Sequence, residues 1–159
     1  MKKFIILIAI AIATQIANAQ GFGGGNGSQA NPYLIETKEH LEALADSVNN
    51  SDPYLYYNWS VGKYFKVMND ITDSVRTVIG NNVNNINRFM GHFDGQGYKI
   101  TLAIDKSTEN YVGLFGTVAN SSFLGVISNA TIENVIVDGY VIGYDYVAGI
   151  MGRHGHTHQ

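Results

Sequence analysis

Apolar residues between Thr37 and Asn49 recur three and four positions apart, which predicts an amphipathic helix. The apolar stripe consists of Leu41, Leu44, Ala45 and Val48. Thr37 has a side chain that can accept a hydrogen bond at the start of the helix, so it is a suitable N-cap. Because the rest of the chain is rich in strand patterns, we expect the helix to cover the open end of a sheet or solenoid.

From Val61 onward the pattern changes to short strands separated by Gly and Asn turns. The clearest alternation runs from Tyr98 to Asp105, where every second residue is apolar. This period of two predicts a half-buried strand. The residues before it include Asp94-Gly95 and Gly97, which have the composition of a tight turn.

One motif occurs twice. Tyr111–Gly116 returns 35 residues later as Tyr146–Gly152, aligned on Tyr-Val and on an apolar pair closed by Gly. Short strands, Gly corners and Asn turns that return at a fixed period are typical of a β-solenoid, in which each coil packs on its neighbours. The alternative is a coincidental strand–glycine pattern in a β-sandwich. We therefore predict an all-β fold, a β-helix (β-solenoid) with an N-terminal capping α-helix.

The N-terminus has the three parts of a secretory signal. Lys2 and Lys3 are followed by the apolar run Phe4–Ala13, and Ala17–Ala19 is a small-residue cleavage site. A membrane-spanning helix is the alternative, but the apolar run is about half of the roughly 20 residues that a span needs. We expect cleavage after Ala19 and a secreted or cell-surface protein.

Four segments follow from these patterns. Residues 1–19 are the predicted signal peptide and residues 20–31 a Gly-rich linker. Residues 32–60 form a cap segment that contains the helix. Residues 61–159 are predicted β-solenoid repeats, and the last of them is truncated at the C-terminus.

Composition excludes several function classes. The 159 residues contain no Cys, which excludes thiol nucleophiles, thiolate metal sites and disulfides. The formal net charge is −3, and loss of Lys2 and Lys3 with the signal peptide makes it more negative by two. We therefore expect no nucleic-acid partner, and no membrane insertion after the signal has been removed.

Several motifs together carry a resemblance to a known family. They are Gly24–Ser28, Asn31–Thr37 with Leu41, Gly62–Ile71, Phe93–Ile100, Tyr111–Gly116 and Tyr146–Gly152. In this order they resemble GLUG-motif domains, which occur in bacterial adhesin-like surface proteins and in the non-catalytic region of some IgA-specific metallopeptidases. These domains are similar to right-handed parallel β-helices, so the resemblance implies an exported bacterial module of that fold. Family members continue through further repeats, whereas this chain stops soon after Gly152, which suggests a truncated reading frame or a fragment.

The sequence contains no marked catalytic site. Neither H-E-x-x-H nor G-x-S-x-G occurs, so we predict no catalytic residue, no enzyme activity and no cofactor. Asp94 and Asp138 precede Gly, which favours turn roles over the paired carboxylates of a polysaccharide-active enzyme. The alternating histidines at the C-terminus could bind a divalent metal ion weakly, but a frayed terminus is favoured, and we predict no metal site. They are His154, His156 and His158.

A group of aromatic residues is the candidate contact patch. Tyr54, Tyr56, Tyr57 and Trp59 lie in one loop between the predicted helix and the first long strand. Exposed aromatic rings stack on sugar rings and anchor protein interfaces. Packing of the loop beneath the helix is the alternative interpretation.

The function expected from the sequence is a non-enzymatic, adhesin-like module that recognises a host or matrix ligand, either protein or carbohydrate. The alternative is the remnant of a polysaccharide-degrading β-helix enzyme, which a groove lined by charged residues would identify. A third possibility is that the chain is the cap segment of a longer protein, whose remaining repeats are then its partner.

Overall fold

The computed structural model describes residues 21–51, 58–81, 87–123 and 126–156. The predicted signal peptide, residues 1–19, lies outside these ranges. The elements in chain order are β1 (Tyr33–Ile35), α1 (Lys38–Asn49), β2 (Tyr64–Val67), β3 (Ile71–Val75), β4 (His92–Asp94), β5 (Lys99–Val112), β6 (Phe115–Phe123), β7 (Val126–Ser128), β8 (Thr131–Glu133), β9 (Ile136–Val147) and β10 (Met151–His156). The described chain is therefore mostly strand, with one helix.

The strands form three short sheets. One sheet has the order β1-β2-β4-β8, the second β10-β6-β7 and the third β3-β5-β9. Neighbours are parallel throughout, except that β6 and β7 are antiparallel. Strands that follow one another in a sheet therefore come from successive stretches of the chain.

The predicted right-handed parallel β-helix, or β-solenoid, is a correction that the structure makes. The strands are divided among several short, mainly parallel sheets, and their lengths range from 3 residues in β1 to 14 in β5. The pairing of β3 with β5 and of β5 with β9 contains register shifts, and β6–β7 is antiparallel. A repeated motif predicts which strands lie side by side, but it does not require regular coils of equal length.

The repeated motif does bring its two copies together. Val112 pairs with Val147 and Phe115 pairs with Met151, so the offset grows from 35 to 36 because the second copy has one more residue. The glycine that closes the first copy has a steric reason. A Cβ on Gly116 would lie 2.5 Å from the carbonyl oxygen of Tyr111, which is too close for any other residue without a shift of the backbone.

The core is built around stacked phenylalanine rings. Phe65, Phe89, Phe93 and Phe115 are all buried. Ring centroids lie 5.8 Å apart for Phe65–Phe89, 5.0 Å for Phe89–Phe115 and 5.1 Å for Phe93–Phe115. Aromatic pairs at these distances add to the free energy gained from burial.

Helix α1 lies where the apolar period predicts it, and it covers the end of the sheets formed by β1 and β3. Its four apolar residues are fully buried, and the Thr37 side chain accepts a hydrogen bond from the backbone N–H of His40. Asn49 fixes the end of the helix to the following chain. Its Nδ2 donates to the carbonyl oxygen of Val78 over 2.8 Å, and its Oδ1 accepts from the N–H of Gly80 over 2.9 Å.

The Gly-rich segment that the sequence predicts to be a linker is part of the folded unit, from Gly21 onward. Phe22 is buried, and its ring stacks on Tyr33 with centroids 4.6 Å apart. The N–H of Gly23 donates to the carbonyl oxygen of Leu34 over 2.9 Å. A single aromatic residue among glycines is therefore enough to anchor this segment to β1.

Candidate functional site

The structure describes one member of the predicted contact patch, Trp59. Tyr54, Tyr56 and Tyr57 lie outside the described residues. The Trp59 ring is half-buried and stacks with Tyr33 and Phe22, at centroid distances of 5.9 Å and 6.3 Å. The Lys63 ammonium lies over its other side, 4.8 Å from the ring centroid. Trp59 therefore takes part in packing, and the patch as a whole stays a prediction.

Exposed apolar side chains concentrate in another part of the molecule. Of the nine large apolar residues that are exposed in the described ranges, seven lie between positions 136 and 151. They are Ile136, Tyr140, Ile142, Tyr144, Tyr146, Val147 and Met151. A patch of this kind on a soluble surface marks an interaction site more often than isolated exposed residues do.

Four of these residues form a row on strand β9. Ile136 is 48% exposed, Tyr140 50%, Ile142 45% and Tyr144 77%. They occupy alternate positions, and alternate residues of a strand point to the same face. The residues between them on the opposite face, Val137 and Val141, pack against the core. We call Ile136, Asp138, Tyr140, Ile142 and Tyr144 the β9 outer row.

The β9 outer row differs from the layer on which it stacks. Its register partners on β5 are Lys99, Thr101, Ala103 and Asp105. The neighbouring strand thus presents mainly polar side chains, whereas β9 presents aromatic and aliphatic ones. Asp138 is the one charged member of the row, and its Oδ2 lies 3.8 Å from Nζ of Lys99. Both groups are exposed, so this ion pair contributes little to stability.

A tyrosine stack borders the row at the end of β9. The rings of Tyr111 and Tyr146 are stacked with centroids 5.0 Å apart, and Cζ of Arg153 lies 5.0 Å from the Tyr111 centroid. Both tyrosines have a left-handed backbone, with φ of 58° and 54°. This conformation turns the chain sharply at the same point in both copies of the motif, and stacking holds the exposed Tyr146 ring in place.

Asp94, a candidate carboxylate, is held in a turn. Its Oδ1 accepts hydrogen bonds from the Gln96 N–H and from Nδ2 of Asn134, both over 2.9 Å. Its Oδ2 accepts from Nε2 of Gln96. Partial burial tends to raise the pKa of Asp94, but these hydrogen bonds and the charge of Lys66 outweigh it and lower the pKa. Asp94 therefore ties the turn after β4 to the turn after β8.

Replacing Asp94 with asparagine is expected to destabilise the fold by about 1 kcal/mol near neutral pH, because the charged acceptor is lost. The folded-state pKa lies below the unfolded value, so the stabilisation is present above the unfolded pKa and is lost as the pH falls through the folded one. Urea titrations of wild type and Asp94→Asn should converge below about pH 3. Asp73→Asn, an exposed aspartate of β3, is the control, and a pH-independent difference for Asp94→Asn would contradict the assignment.

Within the described ranges, no group of three or more His, Asp or Glu side chains comes together as a metal site would require. The side chains of His156 and His158 lie outside what the structure describes. His92 is engaged locally: its Nδ1 lies 3.0 Å from Oγ1 of Thr131, and its ring stacks on Tyr64 with centroids 4.2 Å apart. Burial lowers the pKa of His92, while the nearby Glu133 charge acts in the opposite direction. The expectation of no metal site stays a prediction.

Sequence reasoning missed the β9 outer row. The signal was present, because tyrosine recurs at alternate positions in Tyr140, Tyr144 and Tyr146 with isoleucine at Ile142. Apolar residues at alternate positions normally indicate the buried face of a strand. In β9 the valines at the odd positions take the buried face, so the tyrosines are left in solvent.

Two relatives share most of this chain. It is 34% identical over 145 residues to a protein of Evansella cellulosilytica that is named as a Gly-rich membrane protein, and the match covers 85% of the chain and 15% of that protein. It is 29% identical over 160 residues to halomucin of Haloquadratum walsbyi, covering 80% of the chain and 2% of halomucin. The chain thus spans a small part of each relative. No family model matches it, and no solved structure matches it.

On the names of these relatives, the chain belongs at a membrane or a cell surface. Among the residues that the structure describes, no helix is both long enough and apolar enough to span a bilayer.

Proposed function

We propose that the chain is a non-enzymatic, adhesin-like recognition module of an exported surface protein, and that it contacts its ligand through the β9 outer row. Export would follow cleavage of the signal peptide after Ala19. The observation that supports recognition is the exposure of Tyr140 and Tyr144 on a regular strand. A strand fixes the spacing of its side chains, so the rings are held in place before a ligand binds.

Tyrosine rings on a flat strand suit a carbohydrate ligand. A tyrosine offers an apolar ring face for stacking and a hydroxyl group for hydrogen bonding, and it loses little conformational entropy when it is fixed. The row carries a single charge, that of Asp138, so it lacks the charge density that would select an ionic ligand. A matrix or host glycan is therefore favoured over a charged protein surface.

A test of this function compares binding of the purified chain to arrays of glycans and matrix proteins. We expect the double variant Tyr140→Ser/Tyr144→Ser to bind its glycan at least tenfold more weakly than wild type, since each stacked ring contributes about 0.5–1.5 kcal/mol. Tyr98→Ser is the matched control, because Tyr98 is 39% exposed but lies outside the row. Unchanged glycan binding by the double variant, with an unchanged circular dichroism spectrum, would refute the assignment of the site.

The enzymatic alternative lacks a supporting observation in the described residues. Asp94 and Glu133 are register neighbours on β4 and β8, so they are the carboxylates that come closest to a pair. The pKa of Asp94 is lowered, however, whereas a general acid in a glycosidase needs a raised pKa. Its two oxygens also accept three hydrogen bonds within the turn, which leaves it little freedom to act on a substrate.

A further inference from the structure

The last strand of each sheet lies at an edge. β8, β9 and β10 are the terminal strands of their sheets, and each comes from the final stretch of the described chain. In the part of the chain that the structure describes, each of them pairs with a strand on one side only. An edge strand presents unpaired N–H and C=O groups that can pair with a further strand.

The opposite end of the molecule is closed. Helix α1 packs on β1 and β3, the first strands of their sheets, and buries Leu41, Leu44, Ala45 and Val48 there. A second copy could not add its first strands to the edge of β9 without displacing its own helix. Two copies can therefore meet in one way, with the β9 edge of one against the β9 edge of the other.

The core-facing side of β9 is incompletely covered as well. A cavity of about 420 Å³ is lined by apolar side chains that include Leu102, Val137, Val141 and Val147. With a fully exposed aromatic side chain presenting roughly 150–250 Å², the seven exposed apolar residues of this layer present several hundred Å². That area approaches the roughly 800 Å² per partner of a standard protein interface.

We propose that β9 pairs antiparallel with β9 of a second copy of this chain, which forms a two-fold symmetric dimer with a continuous sheet β3-β5-β9-β9-β5-β3. The β9 outer row runs from Ile136 to Tyr144, so its centre is Tyr140. Pairing about that centre places Tyr140 opposite Tyr140, Ile136 opposite Tyr144, and Asp138 opposite Ile142. Aromatic and β-branched residues are favourable cross-strand partners.

The charge distribution agrees with this register. Asp138 is the one charged member of the row, and it faces Ile142 of the other copy instead of the second Asp138. No like charges are therefore placed opposite each other, which would destabilise the pairing. The two outer rows would lie side by side on one face of the joined sheet. The dimer would thus offer a ligand two adjacent tyrosine rows, a basis for avidity.

Sedimentation equilibrium of the purified chain without ligand tests the dimer independently of the proposed function. We expect reversible dimers with a roughly micromolar Kd. Two variants at the same position test the register, since Ile142→Glu places a second negative charge opposite Asp138, whereas Ile142→Lys places a positive one there. We expect Ile142→Glu to weaken dimerisation at least tenfold, and Ile142→Lys to dimerise at least as well as wild type.

Three results would overturn the proposal: a monomer at all concentrations up to ~100 μM, assemblies that keep growing beyond the dimer, or equal dimerisation of the two variants. Amide hydrogen exchange provides a second measurement that needs no variant. The proposal requires exchange along Ile136–Tyr144 to slow as the protein concentration rises, while exchange in α1 stays unchanged. Concentration-independent exchange in β9 would also contradict it.

Discussion

Replacing Phe115 with alanine is expected to lower the free energy of unfolding by about 3–5 kcal/mol. Phe115 is fully buried, and its ring contacts Phe89 on one side and Phe93 on the other, at centroid distances of 5.0 Å and 5.1 Å. The truncation removes these contacts and leaves a cavity, because rings that are held by backbone pairing on several strands can collapse only partly. The loss is a large part of the 5–15 kcal/mol that stabilises a typical domain.

Urea denaturation followed by circular dichroism measures the effect of Phe115→Ala. Tyr98→Ala is the control, because it truncates a tyrosine that is 39% exposed, and its cost should stay well below that of Phe115→Ala. A loss of less than about 1 kcal/mol for Phe115→Ala would mean that the Phe89, Phe93 and Phe115 rings do not share one core.

Replacing Leu44 with alanine is expected to destabilise the protein by about 2–5 kcal/mol. Leu44 is fully buried in α1, the helix that packs on β1 and β3. A 12-residue helix is marginal by itself in water, so its stability depends on this packing. Loosening α1 would also uncover the first strands of two sheets, and their edges would then be open to association.

Asp46→Ala is the matched control for Leu44→Ala, because Asp46 lies on the exposed side of the same helix. Its replacement should change the free energy of unfolding by no more than about 0.5 kcal/mol. The two variants can be compared by thermal and urea denaturation. Equal stability of Leu44→Ala and Asp46→Ala would show that α1 is not held by its apolar stripe.

Local patterns in the sequence predicted the local structure well. The apolar period of Leu41, Leu44 and Val48 located the helix, since a single stripe needs one covering partner and has few alternative explanations. The alternation that begins at Tyr98 located β5, although the strand continues to Val112. The repeated Tyr-Val motif predicted that Tyr111 and Tyr146 are neighbours, because equivalent residues of adjacent parallel strands lie side by side.

The arrangement of the strands in space was less predictable. The division into three short sheets depends on where each strand bends, and those bends depend on tertiary packing around residues such as Gly116. The antiparallel pair β6–β7 leaves no mark in the repeat. Burial of Phe22 depends on contact with Tyr33, which no local pattern encodes. Exposure of Tyr140 and Tyr144 depends on which face of β9 packs on the core, and the sequence offers apolar residues on both faces.

The most direct test of the central claim, recognition through the β9 outer row, is to map the ligand footprint by NMR. A glycan that binds on the array would be titrated into the ¹⁵N-labelled chain, and the amide shifts would be followed residue by residue. The account predicts that the largest shifts fall between Ile136 and Tyr146. Shifts that concentrate instead around Trp59, or around Asp94 and Glu133, would contradict it.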